Sequence, residues 1–312
     1  MPEQNTRHYV GLDVGKYKLE YSLDQTHGGQ APYNAAAIAV WIEQLQQLTH
    51  PVVVCESTGG YERRVVAALL AAGIEVCLVM PGRVRAFAYA EGLLAKTDPI
   101  DADLLRRFGQ KMNPRVYSLA SAATTELREL LDYRRLVVAQ LAELESRKEV
   151  AGATLRSLLA EHQATLEQAL LKVQTRLEAH LTATPELSQK ERRLRQIKGV
   201  GPVLAATMLA YVPELGQISD RQLSALLGVA PYAKDSSQSS RPRHVRGGRH
   251  IVRRVLYMSA VCAARWNPIL KTFYQRLRAA GKPPMVAVVA VMRKLACLMN
   301  RLIADPNFLL AA

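Results

Sequence analysis

Four acidic residues in the first third of the chain stand where strands end or a helix begins. Asp13 sits in Tyr9-Val10-Gly11-Leu12-Asp13-Val14-Gly15, Glu56 ends the apolar run Pro51-Val52-Val53-Val54-Cys55-Glu56, and Asp98 and Asp101 lie in Lys96-Thr97-Asp98-Pro99-Ile100-Asp101. Carboxylates at the ends of apolar strands are costly to hold ionised unless a cation sits among them. Oxygen donors of this kind suit Mg²⁺, and so phosphoryl transfer on a nucleic acid, in which two ions roughly 4 Å apart stabilise the attacking and leaving oxygens. A helix starting at Pro99 presents Asp98 and Asp101 on nearly one face. Taken singly, Asp98 reads as an N-cap and Asp13 as a turn residue; the four together favour metal. Asp103 competes for the last ligand position but points elsewhere on such a helix.

A second reactive segment runs Lys234-Asp235-Ser236-Ser237-Gln238-Ser239-Ser240-Arg241-Pro242-Arg243-His244-Val245-Arg246-Gly247-Gly248-Arg249. Guanidinium forks bind non-bridging phosphate oxygens and offset the charge that develops in transfer, and a neighbouring serine hydroxyl is a possible nucleophile. A polar Ser/Arg loop that only binds backbone phosphate explains the same residues. Arg246 and Arg249 could equally cap the next helix or stay solvated, and His244 and His250 fit proton carriers or phosphate contacts.

These residues need elements to hold them. His8–Val14 and Leu19–Leu23 read as strands joined by Gly15-Lys16, Gly28-Gly29 as a turn, and Ala31–Tyr33 as a weakly signalled third strand. Ala35–Leu48 has helical periodicity, with Ile38, Trp41, Ile42, Leu45 and Leu48 on one stripe. Pro51–Glu56 is a buried strand, and Ser57-Thr58-Gly59-Gly60 is a turn whose hydroxyls can cap a helix over Tyr61–Ala72. Ile74–Met80 is the next strand, and a helix near Val84–Glu91 follows Pro81-Gly82. Strands followed by alternating helix and strand describe a mixed α/β sheet of the RNase H-like type.

Asn113-Pro114 and Ser121 mark a boundary, beyond which a helical stretch runs from Thr124 to about Thr182. Leu127, Leu130, Val137, Leu141 and Leu144 keep coiled-coil spacing, Leu166, Leu170, Val173, Leu177 and Leu181 continue it, and Gly152 marks a bend or reversal. An antiparallel hairpin within one chain and a coiled coil between chains fit equally. Thr184-Pro185 ends the stretch. The last region opens with Ile197-Lys198-Gly199-Val200-Gly201-Pro202, whose Gly199 and Gly201 resemble a helix-hairpin-helix turn able to hold a phosphate at a helix N-terminus. Short helix Leu223–Leu227, the polar loop Tyr232–Gly248, and helices Ile251–Arg265, Ile269–Ala279 and Pro284–Ile303 complete it.

Charge agrees with a polyanionic partner. The chain of 312 residues carries a net +14, but from Glu191 onward there are 20 Lys/Arg against 5 Asp/Glu, and before it 21 against 22. Cys55, Cys77, Cys262 and Cys297 form no CxxC pair and sit in apolar stretches, which suits buried free thiols in a reducing cytosol rather than zinc. The polar Met1-Pro2-Glu3-Gln4-Asn5 start gives no sign of a signal peptide, and the stretch closest to membrane-spanning length, Met285 to Leu295, is too short and ends in Arg293-Lys294.

The whole chain resembles the DEDD-type insertion-sequence transposases, the bacterial group that includes the pilin-gene invertases and the bridge-RNA-guided recombinases. The matching strings are Gly11-Leu12-Asp13-Val14, Glu56-Ser57-Thr58-Gly59-Gly60-Tyr61, Lys96-Thr97-Asp98-Pro99-Ile100-Asp101-Ala102, Gly199-Val200-Gly201, Gly228-Val229-Ala230-Pro231, and Gly247-Gly248-Arg249 through Val252-Arg253 to Leu256-Tyr257-Met258. The resemblance implies a RuvC-like domain over residues 1–118 with Asp13, Glu56, Asp98 and Asp101 binding Mg²⁺, a coiled-coil connector over 119–190, and an all-α transposase domain over 191–312 with a catalytic serine. Position assigns that serine to Ser236; Ser237 stands where the family usually has glycine and remains a competitor. The resemblance further implies donor and target DNA, a bridge-type guide RNA, a homo-oligomer of two or four chains, no membrane, and a bacterial cytoplasmic, nucleoid-associated setting. The expected activity is excision and insertion of a mobile element by strand exchange, with Arg241, Arg243, Arg246, Arg249, Gly199 and Gly201 touching nucleic acid. The alternative is a RuvC-like junction-resolving endonuclease that uses metal-activated water.

Overall fold

The computed structural model describes residues 7–57, 59–93, 98–117, 121–232 and 244–309. The chain divides into two compact units, Met1–Leu119 and Ala120–Ala312.

The first unit is a mixed α/β layer. Its elements are β1 (His8–Val14), β2 (Lys18–Ser22), β3 (Gly28–Pro32), α1 (Ala35–Gln46), β4 (Pro51–Glu56), α2 (Glu62–Ala71), β5 (Glu75–Val79), α3 (Pro81–Ala90) and α4 (Asp98–Met112). The strands lie in the order β3-β2-β1-β4-β5, with β2 antiparallel to β1 and β3, and β1, β4 and β5 parallel. Period-2 alternation sends β1 and β4 side chains to two cores. Val10, Leu12, Val14, Val53 and Cys55 join Trp41, Leu45 and Leu69 of α1 and α2 on one face. Tyr9, Val52 and Val54 join Leu104, Leu105 and Phe108 of α4 on the other.

Two local expectations shift. Gly28-Gly29, read as a turn, lies inside β3, paired with Ser22 and Tyr21. The turn falls earlier, where the Asp24 carboxylate accepts hydrogen bonds from the Thr26 and His27 amides, both at 2.7 Å. Side chains at Gly28 and Gly29 would meet the Tyr21 carbonyl and hydroxyl, so glycine is what lets this edge strand pair. α2 is led by Tyr61 with no side-chain cap; instead the Glu62 carboxylate accepts from the Gly60 amide at 2.9 Å.

The second unit contains α5 (Ala122–Val150), α6 (Ala153–Ala183), α7 (Pro185–Arg195), α8 (Pro202–Tyr211), α9 (Asp220–Leu226), β6 (Pro231–Tyr232), β7 (His244–Val245), α10 (His250–Trp266), α11 (Pro268–Ala279) and α12 (Pro284–Ala304). Of the two pairings open in the sequence, the chain adopts the internal one. α5 and α6 fold back on each other, with Val137, Leu144 and Leu166 buried between them and His180 hydrogen-bonded to the Ala123 carbonyl at 2.8 Å. Pro185, read as a terminator, instead opens α7, since proline is as well suited to the first turn of a helix as to the end of one. α7 crosses residue 190, and Leu127, Leu131, Val173 and Leu177 of the hairpin share one core with Leu194, Leu204, Leu256 and Leu295. Among the described residues no helix is long and apolar enough to cross a membrane.

Candidate functional site

Asp13 follows Tyr9 and Gly11 at period two on β1, and Glu56 follows Val52 and Val54 on β4, so both point to the face that α4 covers. The parallel register that sets Leu12 beside Cys55 makes them neighbours one step further on, at the C-terminal ends of their strands. α4 is seated over these strands by two glycines. A Cβ at Gly11 would fall 1.8 Å from the Ala102 carbonyl oxygen, and one at Gly109 would fall 2.6 Å from the Tyr9 ring and 2.7 Å from Val54. The helix therefore runs against the strand direction, and its first turn, with Asp98 and Asp101, lies toward the strand ends that carry Asp13 and Glu56. The backbone of Asp98 opens α4; its side chain lies outside the described residues.

The carboxylates make their field felt nearby. Burial first, then the charges of Glu62, Cys77, Glu56 and Asp13, push the Cys55 thiol far above its ordinary range. Asp13, Glu56 and Asp101 are each partly buried, and among the described residues no three His, Cys, Asp or Glu side chains form a ready metal cage. The donors brought to this edge are all carboxylate oxygens from separate elements, the set that suits a hard divalent ion such as Mg²⁺ rather than zinc.

Sequence reasoning missed Glu20. It stands directly opposite Asp13 in the β1–β2 register, 9% exposed, with Lys18 Nζ 2.7 Å from its carboxylate. Alternation in Lys18-Leu19-Glu20 places it opposite Leu19, but only the register shows which residue it faces. Asp103 turns away from the strand ends: it accepts from Arg106, 3% exposed, at 2.6 and 3.0 Å and from Ser22 at 3.4 Å.

In the second unit, the segments that flank residues 233–243 form a neck. β6 and β7 pair antiparallel, Pro231 with Val245 and Tyr232 with His244, on either side of residues 233–243. Below this ribbon the entering and leaving chains cross almost in backbone contact. Gly228 and Gly248, at φ +68° and +79°, leave room for one another; a Cβ on Gly228 would fall 2.1 Å from the Gly247 carbonyl oxygen, and one on Gly248 2.1 Å from the Gly228 nitrogen. Arg253 donates to the Gly247 carbonyl at 2.7 Å, and the Arg249 amide donates to the Leu226 carbonyl at 2.9 Å. Ser236, Ser237, Arg241 and Arg243 lie outside the described residues.

Arg246 is exposed beside the neck. Arg249 has its fork engaged: it donates to both Glu214 oxygens at 2.7 and 2.8 Å and to the Tyr211 carbonyl at 2.8 Å. Gly199 and Gly201 divide the turn between α7 and α8. Gly199, at φ +104°, packs on Ala263, where a Cβ would fall 2.6 Å from its methyl. Gly201 is the N-cap of α8 and faces open space, and the Asn267 side chain, N-cap of α11, donates to the Lys198 carbonyl at 3.1 Å. The turn is thus held from behind with its helix N-terminus open.

The model of the Transposase IS116/IS110/IS902 family matches residues 191–275, and the IS110 DEDD transposase model matches residues 10–150. The chain belongs to the DEDD-type insertion-sequence transposases. The first match contains the neck and the glycine turn, the second all four expected carboxylates. This transposase is 26% identical over 298 residues to the pilin gene-inverting protein of Moraxella lacunata, covering 92% of each chain, and 26% identical over 298 residues to that of Moraxella bovis, again 92% of each. It is 27% identical over 205 residues to an insertion element IS110 protein of Streptomyces coelicolor, covering 65% of this chain and 48% of that one. This transposase is an enzyme that acts on DNA in recombination.

Proposed function

We propose that this transposase excises and inserts its element by strand exchange through a phosphoserine link to DNA. The observation that carries the reading is the neck: crossed glycines and a short β-ribbon hold both ends of a Ser/Arg loop within a family that recombines DNA. Ser236 Oγ bonds to phosphorus as the bond to one sugar oxygen breaks; the hydroxyl proton passes to a base or solvent, and the leaving sugar oxygen takes one up. An incoming sugar hydroxyl reverses the step, so strands are exchanged without loss of phosphodiester energy. Ser237 is the competing nucleophile. Arg241, Arg243 and Arg246 neutralise the phosphate, and Gly201, with Gly199 behind it, offers the α8 N-terminus to the DNA backbone.

In this reading residues 1–118 form a RuvC-like, RNase H-like domain, supported by the β3-β2-β1-β4-β5 order and by two glycines that seat α4 beside β1. Asp13, Glu56, Asp98 and Asp101 would hold Mg²⁺, which when bound supplies Lewis-acid stabilisation of charge on the phosphate. Residues 119–190 are the helical connector and 191–312 the serine-bearing domain, whose basic excess favours DNA and RNA. A bridge-type RNA pairing with donor and target DNA, a dimer or tetramer, and a nucleoid setting complete the proposal, as the resemblance to guided recombinases implies.

The test is incubation of protein, Mg²⁺, the element's RNA and labelled donor and target DNA, run on a denaturing gel. A protein–DNA adduct that Ser236→Ala removes is the expected result. Cleavage with no adduct, unaffected by the substitution, would make the enzyme a junction-resolving nuclease working by metal-activated water.

A further inference from the structure

Arg249 closes the serine loop and opens α10, and its surroundings tie that point to the helical hairpin. The chain of contacts begins on α5. Arg128 donates to the Ala210 carbonyl at 2.8 and 3.2 Å and lies 5.4 Å over the Tyr211 ring, while the Tyr211 hydroxyl donates to Asp132 at 2.5 Å. Burial first, then the Asp132 hydrogen bond, raise the Tyr211 hydroxyl far above its ordinary range, so it stays a donor at any working pH. The C-terminal end of α8 is thus fixed to α5. From that end, the Tyr211 carbonyl and Glu214 take the Arg249 guanidinium. Both NH1 hydrogens are used, and the paired Glu214 carboxylate, 15% exposed, cancels the charge locally. A guanidinium so committed has little left to attract a phosphate.

We infer that Arg249 is a positioning residue rather than a phosphate ligand: with Glu214, Tyr211 and Asp132 it fixes the exit of the serine loop to α5, so the helical hairpin sets where the nucleophile reaches. The inference rests on the reading that a serine of this loop attacks DNA. It parts Arg249 from Arg246, which stands exposed on the same segment. It also gives the Gly247-Gly248-Arg249 string a mechanical meaning: the glycines let the chains cross, and the arginine pins the crossing.

The experiment compares Arg249→Lys, Arg249→Ala, Glu214→Gln and Tyr211→Phe with wild type in three measurements: DNA affinity against salt, adduct formation at saturating DNA, and hydrogen exchange at residues 244–249. Lysine keeps the charge but not the fork. Arg249→Lys and Glu214→Gln are expected to slow adduct formation by about 100-fold, as small misplacements of a reacting group do. Affinity and salt slope stay unchanged, and exchange at 244–249 accelerates. Tyr211→Phe keeps the carbonyl and loses only the Asp132 bond, so its effect is smaller and in the same direction; it carries the test if Arg249→Lys does not fold. Two results overturn the inference. One is an Arg249→Ala salt slope shallower by about 1 with the saturated rate unchanged, the signature of a phosphate contact. The other is wild-type rate and exchange in Arg249→Lys and Glu214→Gln. A wild-type enzyme that forms no adduct would defeat the serine reading, while exchange at 244–249 would still decide whether Arg249 holds the loop.

Discussion

Gly11 of β1 and Ala102 of α4 meet backbone to backbone: a Cβ on Gly11 would fall 1.8 Å from the Ala102 carbonyl oxygen and 2.6 Å from the Arg106 nitrogen. No side-chain rotation can relieve that approach, because the obstructing atoms are main chain. The glycine sets how close α4 lies to the sheet, and so where its first turn stands relative to Asp13.

Gly11→Ala is therefore expected to cost at least about 1–3 kcal/mol, as overpacking does, and to displace α4. Gly82→Ala, on α3 with nothing near its absent Cβ, is the matched control and should be neutral or slightly stabilising. Urea unfolding midpoints of the two variants decide it; equal midpoints would remove the close approach as a structural constraint.

Two aspartates two residues apart on α4 should behave oppositely. Asp101→Ala, like Asp13→Ala, should abolish metal-dependent cleavage, since each removes a carboxylate proposed to hold the ion. Asp103→Ala deprives Arg106, 3% exposed, of its charged acceptor and should cost about 1–3 kcal/mol. Melting temperatures and cleavage assays side by side are the check; full activity in Asp13→Ala would end the metal-site proposal.

Thiol chemistry offers a test independent of nucleic acid. Burial pushes the Cys77 thiol up to about 11, against the opposing pull of Arg7, and Cys55 higher still, while Cys262 is exposed. At pH 8 only about a thousandth of Cys77 would be thiolate even if reached. A disulfide reagent should modify Cys262 first and Cys55 and Cys77 only on unfolding; rapid labelling of Cys55 in the native protein would contradict the packing of β4.

Arg241 and Arg243 together should account for about two phosphate contacts. Their double alanine variant is expected to flatten the plot of log affinity against log salt by about 2. An unchanged slope would put the DNA elsewhere on the protein.

Much of the first unit was legible because its signals are local. The apolar run of β4 and the alternation of Val10, Leu12 and Val14 fix which way Asp13 and Glu56 face without knowledge of any partner. Leu127, Val137, Leu144, Leu166 and Val173 declared a long helical stretch with a coiled-coil seam by spacing alone, though not that it closes on itself within the chain. α7 was lost because Pro185 is equally a helix end and a helix start, and Gly28-Gly29 looked like a turn because nothing nearby in sequence says that Tyr21 will lie against them.

The amino-acid sequence by itself determined most strand and helix types, where the candidate carboxylates stand along the chain, the basic excess after residue 190 and the family strings. Tertiary structure alone decided that Glu20 faces Asp13, that Gly228 crosses Gly247 and Gly248, and that Arg249 belongs to Glu214, 35 positions away. The physical reason is range. Periodicity is set by the backbone within a turn or two, whereas register, glycine crossings and ion pairs depend on which distant segments packing brings together, and no local spacing encodes that distance.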